Sequence, residues 1–307
     1  MPEIAAPWGA LSKELSRWSD LGLSPTFWVR DDDAISMTAA LERLAKLAEM
    51  FGVQIGLACV PAHLDTSFAK TLQSNELPFH PMCHGWRHAN YGTSEQPAEF
   101  GTHRSQDLIA RDLNTARERF AELTGDASPF FVPPFAQIAG YLVKTLPELG
   151  FGGLSNAPRR SVVRLSKFAV RLNLPANSTS LRLPADGLHV HVDPIDWNRG
   201  TAKPDESVVR SVLLELVVRR KGFVAPNTPI GILTHHLAHD ERIWDVSGRL
   251  LETLEPGRKT QFPPLAHLIA LYGFAARPVR QRGPQALSTH RHGAPSRMSE
   301  AVRLKAD

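Results

Sequence analysis

Residues 26–33 read Thr-Phe-Trp-Val-Arg-Asp-Asp-Asp. The first five, Thr26 to Arg30, have strand character, and the strand ends at three consecutive carboxylates. Like charges this close raise one another's pKa unless a cation compensates. A calcium loop would explain them. So would a helix N-cap, since Asp33 precedes a helical segment by a few residues. A dication shared with nearby imidazoles would relieve the repulsion and leave one carboxylate free as a general base.

Those imidazoles come next along the chain, in Cys83-His84-Gly85-Trp86-Arg87-His88. His84 and His88 are four residues apart, a spacing at which both can reach one metal ion. Two histidines and a carboxylate leave open coordination positions on zinc. Taken alone, such a pair is more often a pair of satisfied surface or core histidines than a metal site.

Outward from these stretches the chain alternates strand and helix. Leu41, Leu44, Leu47, Ala48 and Phe51 recur at helical spacing, and Gln54 to Val60 is a short β-forming run. Leu77 to Cys83 reads as a strand made irregular by Pro78 and Pro81. Ile109 to Leu123 is a long helix stopped by Gly125, and Phe130 to Val132 a short strand before two prolines. Leu142 and Leu146 fit a helix ending at Gly150; Leu188 to Val192 alternates; Val208 to Leu216 is helical; Pro229 to Thr234 is strand-like. This order implies βα units around a mostly parallel sheet. The chemically interesting residues fall where strands end, the face that carries active sites in α/β barrels.

Composition sets the outer bounds. The 307 residues are 42% hydrophobic and 21% charged, ordinary values for a soluble globular chain. No apolar run approaches the roughly 20 residues of a membrane helix. Cys59 and Cys83 provide no disulfide framework, and Met-Pro-Glu-Ile does not begin a secretory signal, so the expected compartment is the cytoplasm. The pI near 9.2 comes from the tail. Residues 278–307 hold six Lys/Arg and two acids, which equals the chain's whole net charge of +4. Residues 1–277 are therefore neutral and offer no phosphate-binding face, so no nucleic-acid partner is expected. Residues 157–183 read as an irregular excursion, and residues 278–307 as a basic, disordered tail.

Three further segments are weak singly. Val132-Pro133-Pro134-Phe135 and Asp193-Pro194-Ile195-Asp196-Trp197 carry ordinary turn chemistry. Thr234-His235-His236 with His239 offers either a rival metal site or a proton donor poised near neutral pH.

Taken in order, the motifs resemble the polysaccharide deacetylase superfamily, the NodB-homology carbohydrate esterases of family 4. Arg30-Asp31-Asp32-Asp33-Ala34 resembles the family's Thr-Phe-Asp-Asp-Gly segment, and His84-Gly85-Trp86-Arg87-His88 its His-Thr-Trp-Ser-His segment, the most specific match. Val132-Pro133-Pro134-Phe135 is similar to its Arg-Pro-Pro-Tyr segment, and Asp196-Trp197 and Leu233-Thr234-His235 to the two groove motifs that follow. The resemblance implies an α/β fold, a distorted (β/α)7 barrel over residues 1–277, with a divalent metal, usually zinc. It implies Asp33, His84 and His88 as metal ligands, Asp32 as base and His235 as general acid. It places Trp86, Pro133, Pro134, Phe135, Asp196 and Trp197 against the substrate.

Two features of the match stay open. Reading Asp32 and Asp33 as the base and ligand puts small Ala34 where the family has glycine; reading Asp31 and Asp32 puts Asp33 there. The family arginine before Pro-Pro is Val132 here, and Arg30 is the candidate substitute. The reading implied is a hydrolase removing an acyl group from an amino sugar or a related small saccharide or amide. A cyclic-amide or ureide amidohydrolase and a non-catalytic carbohydrate-binding protein are the alternatives. Oligomeric state has no signal in the sequence.

Overall fold

The computed structural model describes residues 6–157 and 187–276. The tail expected over 278–307, and the excursion expected over 157–183 from residue 158 on, lie outside the described residues.

Seven strands form one parallel sheet: β1 (Phe27–Ala34), β2 (Ile55–Cys59), β3 (Phe79–His84), β4 (Phe130–Val132), β5 (Gly153–Leu154), β6 (Val190–Val192) and β9 (Ile230–Thr234). A two-stranded antiparallel ribbon, β7 (Ile195–Asp196) and β8 (Thr201–Ala202), lies beside it in sequence. The order across the sheet is β5-β4-β3-β2-β1-β9-β6. Its two edges meet, because Leu188 N–H donates to Leu154 O at 3.3 Å and Val190 N–H to Asn156 O at 3.0 Å. Those bonds curl the sheet into a distorted (β/α)7 barrel.

The described α-helices are α1 (Ala6–Asp20), α2 (Ala39–Phe51), α3 (Thr66–Gln73), α4 (Gln106–Thr124), α5 (Leu142–Thr145), α6 (Asp205–Arg220), α7 (Glu241–Leu254) and α8 (Leu265–Tyr272). Local chemistry sets the boundaries of several. Thr38 caps α2 by accepting from Leu41 N–H, and Gly52 ends it in the left-handed conformation. The cap is therefore Thr38, not Asp33. Ser105 and Gly125 do the same for α4, and Asp240 caps α7. The first, third, seventh and eighth helices go beyond the sequence reading.

Strand alternation sorts the core into two layers. Phe27 and Val29 face the helices, packed with Leu41, Leu44, Ile55 and Leu57. Trp28 points the other way and meets Ala58, Met82, Phe130, Val132, Leu188 and Val190 inside the barrel. Leu265 and Leu268 of α8 join that inner cluster. Leu265 N–H donates to Gln54 Oε1, just before β2, so α8 sits at the end of the barrel where the strands begin. The opposite end is left open.

Two differences from the sequence reading bear on the site. β1 does not stop at Arg30 but runs through the aspartates to Ala34. It does so with an extra residue: Asp31 pairs with Leu57 and Ala34 with Cys59, three steps on β1 against two on β2. Pro81 lies inside β3, but β4 reaches that strand only from Cys83 on, so the proline sits where the ladder is incomplete. No helix among the described residues is long and apolar enough to cross a membrane.

Candidate active site

The bulge in β1 decides how the three aspartates divide. Regular alternation would put Asp31 and Asp33 on one face and Asp32 on the other. Asp32 follows Trp28 and Arg30 toward the barrel interior. Asp33 takes a left-handed backbone, φ 74°, and joins it at the open end, where both line one cavity. Asp31 faces the helices and is fully buried. Its Oδ2 accepts from Thr234 Oγ1 at 2.7 Å and His236 N–H at 2.9 Å, and its Oδ1 lies 2.5 Å from His236 Nδ1. Asp31 therefore clamps the turn on which His235 stands.

Asp33 meets the two histidines. Its Oδ1 is 3.0 Å from His84 Nε2 and 3.1 Å from His88 Nε2. Among the described residues these three form the group whose ligand atoms converge closely enough for one metal ion, all within 4.8 Å of one another. His84 Nδ1–H donates to Val132 O at 3.1 Å, which fixes the ring and turns Nε2 toward Asp33. The set of two imidazole nitrogens and one carboxylate oxygen suits a zinc-like dication and leaves coordination positions open. These residues fit the group that the sequence implies. His235, His236 and His239 do not converge on a ligand position in this way: His236 is taken by Asp31, and His239 Nε2 accepts from His235 N–H.

Asp32 is held by arginine from its own strand. Arg30 Nε donates to Oδ1 at 2.7 Å and Nη2 to Oδ2 at 2.8 Å, while Nη1 reaches Ser155 Oγ at 2.8 Å. Val132, just before Pro133-Pro134, is a buried apolar residue of the barrel interior. His235 Nε2 stands 3.9 Å from Asp32 Oδ2, and its buried Nδ1 has no partner among the described residues. The Trp197 ring meets the His235 ring edge-on at 4.6 Å.

The electrostatics follow from these contacts. Burial pushes the Asp32 carboxyl up, but Arg30, His84 and His235 outweigh it and hold it below the usual carboxylate range. Burial also opposes ionisation of Asp33, and the hydrogen bond and charge of His84 with the charge of His88 reverse the balance, so its pKa is lowered. His84 is raised, its burial overcome by Asp33 and Asp32. His88 is lowered, mainly by burial.

The open end of the barrel holds a cavity of about 710 Å³. Arg30, Asp32, Asp33, His84, His88 and His235 are among its polar lining, and Phe135, Val190, Val192, Trp197 and Leu233 among its apolar lining. Phe135 stacks at a tilt on His88, ring centroids 4.5 Å apart. Four residues expected against substrate stand elsewhere. Trp86 packs on the helix-side core, and Pro133 and Pro134 are buried behind the 85–88 loop. Asp196 begins the turn between β7 and β8, its Oδ1 accepting from Asn198 N–H. The aspartate lining the cavity is Asp193, fixed there by Ile195 N–H and Trp197 Nε1. Both aspartates sit in the same short segment, and only the β7–β8 turn decides which one faces inward.

Sequence reasoning missed Glu99. It is fully buried, and its carboxylate accepts from Trp86 N–H at 3.1 Å and Arg87 N–H at 2.8 Å. Nothing in Ala98-Glu99-Phe100 distinguishes it from a solvated loop acid.

No family model and no curated protein matches the chain. Among solved structures it is similar to a family 4 carbohydrate esterase from Streptomyces lividans in complex with acetate, at 13% identity, covering 77% of this chain and 90% of that one, TM-score 0.47. It is similar to a family 4 acetyl xylan esterase from Clostridium thermocellum in complex with a cobalt ion, at 14% identity over 80% and 91%, TM-score 0.44. It is also similar to a family 4 pseudoenzyme from Bacillus anthracis, at 16% identity over 76% and 62%, TM-score 0.45.

Proposed function

We propose that this chain is a metal-dependent hydrolase of carbon–nitrogen bonds that removes an acyl group from an amino sugar or a related small saccharide or amide. One observation carries the reading. Two successive aspartates share the open end of the barrel, Asp33 against His84 and His88, and Asp32 against Arg30 and His235.

Asp33, His84 and His88 would hold a divalent cation, zinc by donor type, which supplies Lewis acidity for an acyl oxygen and a water. Asp32, kept ionised by Arg30, is the group in position to take a proton from the attacking water. His235, across from it, is the group in position to give a proton to the departing nitrogen. Phe135, against His88, and Trp197, against His235, both line the cavity and would restrict where the acyl group and the sugar ring lie. Against the non-catalytic alternative stands Arg30, which pairs with both oxygens of Asp32 although Val132 replaces the motif arginine.

The test is acetate release from N-acetylated amino sugars by zinc-loaded protein. Release that disappears in Asp32→Asn supports the reading. Turnover of cyclic amides alone, or saccharide binding without turnover, would replace it.

A further inference from the structure

Residues 85–88 connect the two imidazoles of the candidate metal centre by an unusual backbone. Gly85 and His88 both have left-handed conformations, φ 60° and 56°. Such reversals turn successive N–H groups toward one side and make a concave anion-binding nest. The anion in this nest is the Glu99 carboxylate. Its two oxygens accept from Trp86 and Arg87 N–H, and Ala89 N–H adds to the same field; burial still pushes the carboxyl above its ordinary range, and these donors oppose that push. The fit is close: a Cβ on Gly85 would stand 2.2 Å from Glu99 Oε2. Glu99 is itself held from behind, since its carbonyl accepts from Arg104 Nη1 at 3.2 Å and Arg104 is paired with Asp112.

We infer that Glu99 is a positioning residue for the metal centre, holding the 85–88 loop so that His88 comes into register with His84 and Asp33. His84 needs no such help, because it lies on β3 and is oriented by Val132 O. His88 lies on a loop, half-buried, and its left-handed backbone is one that a histidine adopts at a cost. Charge-assisted hydrogen bonds from backbone N–H groups to a buried carboxylate are strong enough to hold such a loop. A glutamine at 99 would keep one acceptor and turn an NH₂ group toward backbone donors, so the nest would open.

The inference rests on the metal reading above, and the test separates the two. The full chain is stripped and titrated with Zn²⁺ against a chromophoric chelator, and with Co²⁺ to record the visible bands that report coordination geometry. Glu99→Gln is expected to weaken zinc binding about 10- to 100-fold, as outer-shell changes do, and to alter the Co²⁺ spectrum, with the far-ultraviolet circular dichroism of the metal-free protein unchanged. Glu99→Asp, which keeps the charge with shorter reach, should fall between and covers the case in which glutamine prevents folding. His88→Ala is the control. If it loses zinc while both Glu99 variants keep wild-type affinity and spectrum, the positioning role is overturned. If His88→Ala also keeps zinc, the metal reading falls, and the role of Glu99 with it.

Discussion

One guanidinium spans both carboxylate oxygens of Asp32: Arg30 Nε lies 2.7 Å from Oδ1 and Nη2 2.8 Å from Oδ2. The two residues are two apart on one strand, so the pleat itself places them side by side on the barrel face. A buried carboxylate is thereby compensated within its own element, as the base proposed for Asp32 would require.

Arg30→Gln should therefore lower turnover about 100-fold or more, on the scale of losing a general base. Zinc content should hold, because Arg30 touches none of the three candidate ligands. The acid limb of the pH–rate profile should move up: Arg30 is the largest influence holding the Asp32 pKa down against burial, and without it only His84 and His235 oppose burial. Activity would then fail at a higher pH as acid is added. An unchanged acid limb with full turnover would mean that Asp32 is not the base.

The three aspartates should give three different phenotypes. Asp33→Asn is expected to lose zinc and turnover together. Asp32→Asn should keep zinc and lose turnover about 100- to 10,000-fold. Asp31→Asn should keep zinc while folded but lower the thermal midpoint, because donors from Thr234 and His236 lose a carboxylate, at about 1–3 kcal/mol for each one left unpaired. Metal analysis, steady-state rates and thermal melts on the same preparations check all three. Zinc loss in Asp32→Asn with retention in Asp33→Asn would shift the assignment by one residue.

The sequence made much of this legible, for identifiable reasons. The second and fourth helices carry both an apolar stripe and a polar cap, and β1, β4 and β9 end at chemically marked residues. The division of labour among Asp31, Asp32 and Asp33 was not legible, because it depends on a bulge that exists only relative to β2. A period-2 reading would pair Asp31 with Asp33 on one face. Adjacency alone makes Arg30 a candidate in the sequence; its two hydrogen bonds to Asp32 exist only in the fold. Glu99 gave no local signal, since its partners are backbone N–H groups that face it only after the loop has reversed at Gly85 and His88.

Gly85 offers a clean comparison with Gly52. Both have positive φ, 60° and 63°, where a side chain costs roughly 1–2 kcal/mol. A Cβ at Gly52 would meet nothing within 4 Å, whereas at Gly85 it would meet Glu99 Oε2 at 2.2 Å and Pro134 Cγ at 2.5 Å. Gly52→Ala should thus show the backbone cost alone. Gly85→Ala should lower the thermal midpoint further and also weaken zinc binding, because the clash falls on the loop that carries His88. Equal midpoints for the two variants would count against the close packing of Gly85 on Glu99.

The last expectation concerns acid. His239 is pushed down to about 4, chiefly by burial, and His191 well below its ordinary value, by burial and then by Arg219. His191 Nδ1 accepts from Gly231 N–H at 3.0 Å, an acceptor that protonation would destroy. Above pH 6.5 both rings are neutral whether the chain is folded or not, and they contribute nothing to the pH dependence. As pH falls from 6.5 toward 4 the unfolded chain takes up protons that the folded chain refuses, so stability declines across that window. His84, raised instead, acts in the opposite sense, favouring the fold below 6.5 and losing that effect as pH rises through its folded value. Asp32 and Asp33, both lowered, add their own loss only below about 3.8, the ordinary aspartate value. The net slope mixes these terms, so the test reads a difference. Thermal midpoints from pH 7 to 5 should fall less steeply in His239→Gln than in the parent, because glutamine keeps an acceptor for His235 N–H and cannot take the proton. Parallel curves would show that His239 titrates in the folded protein as it does in the open chain.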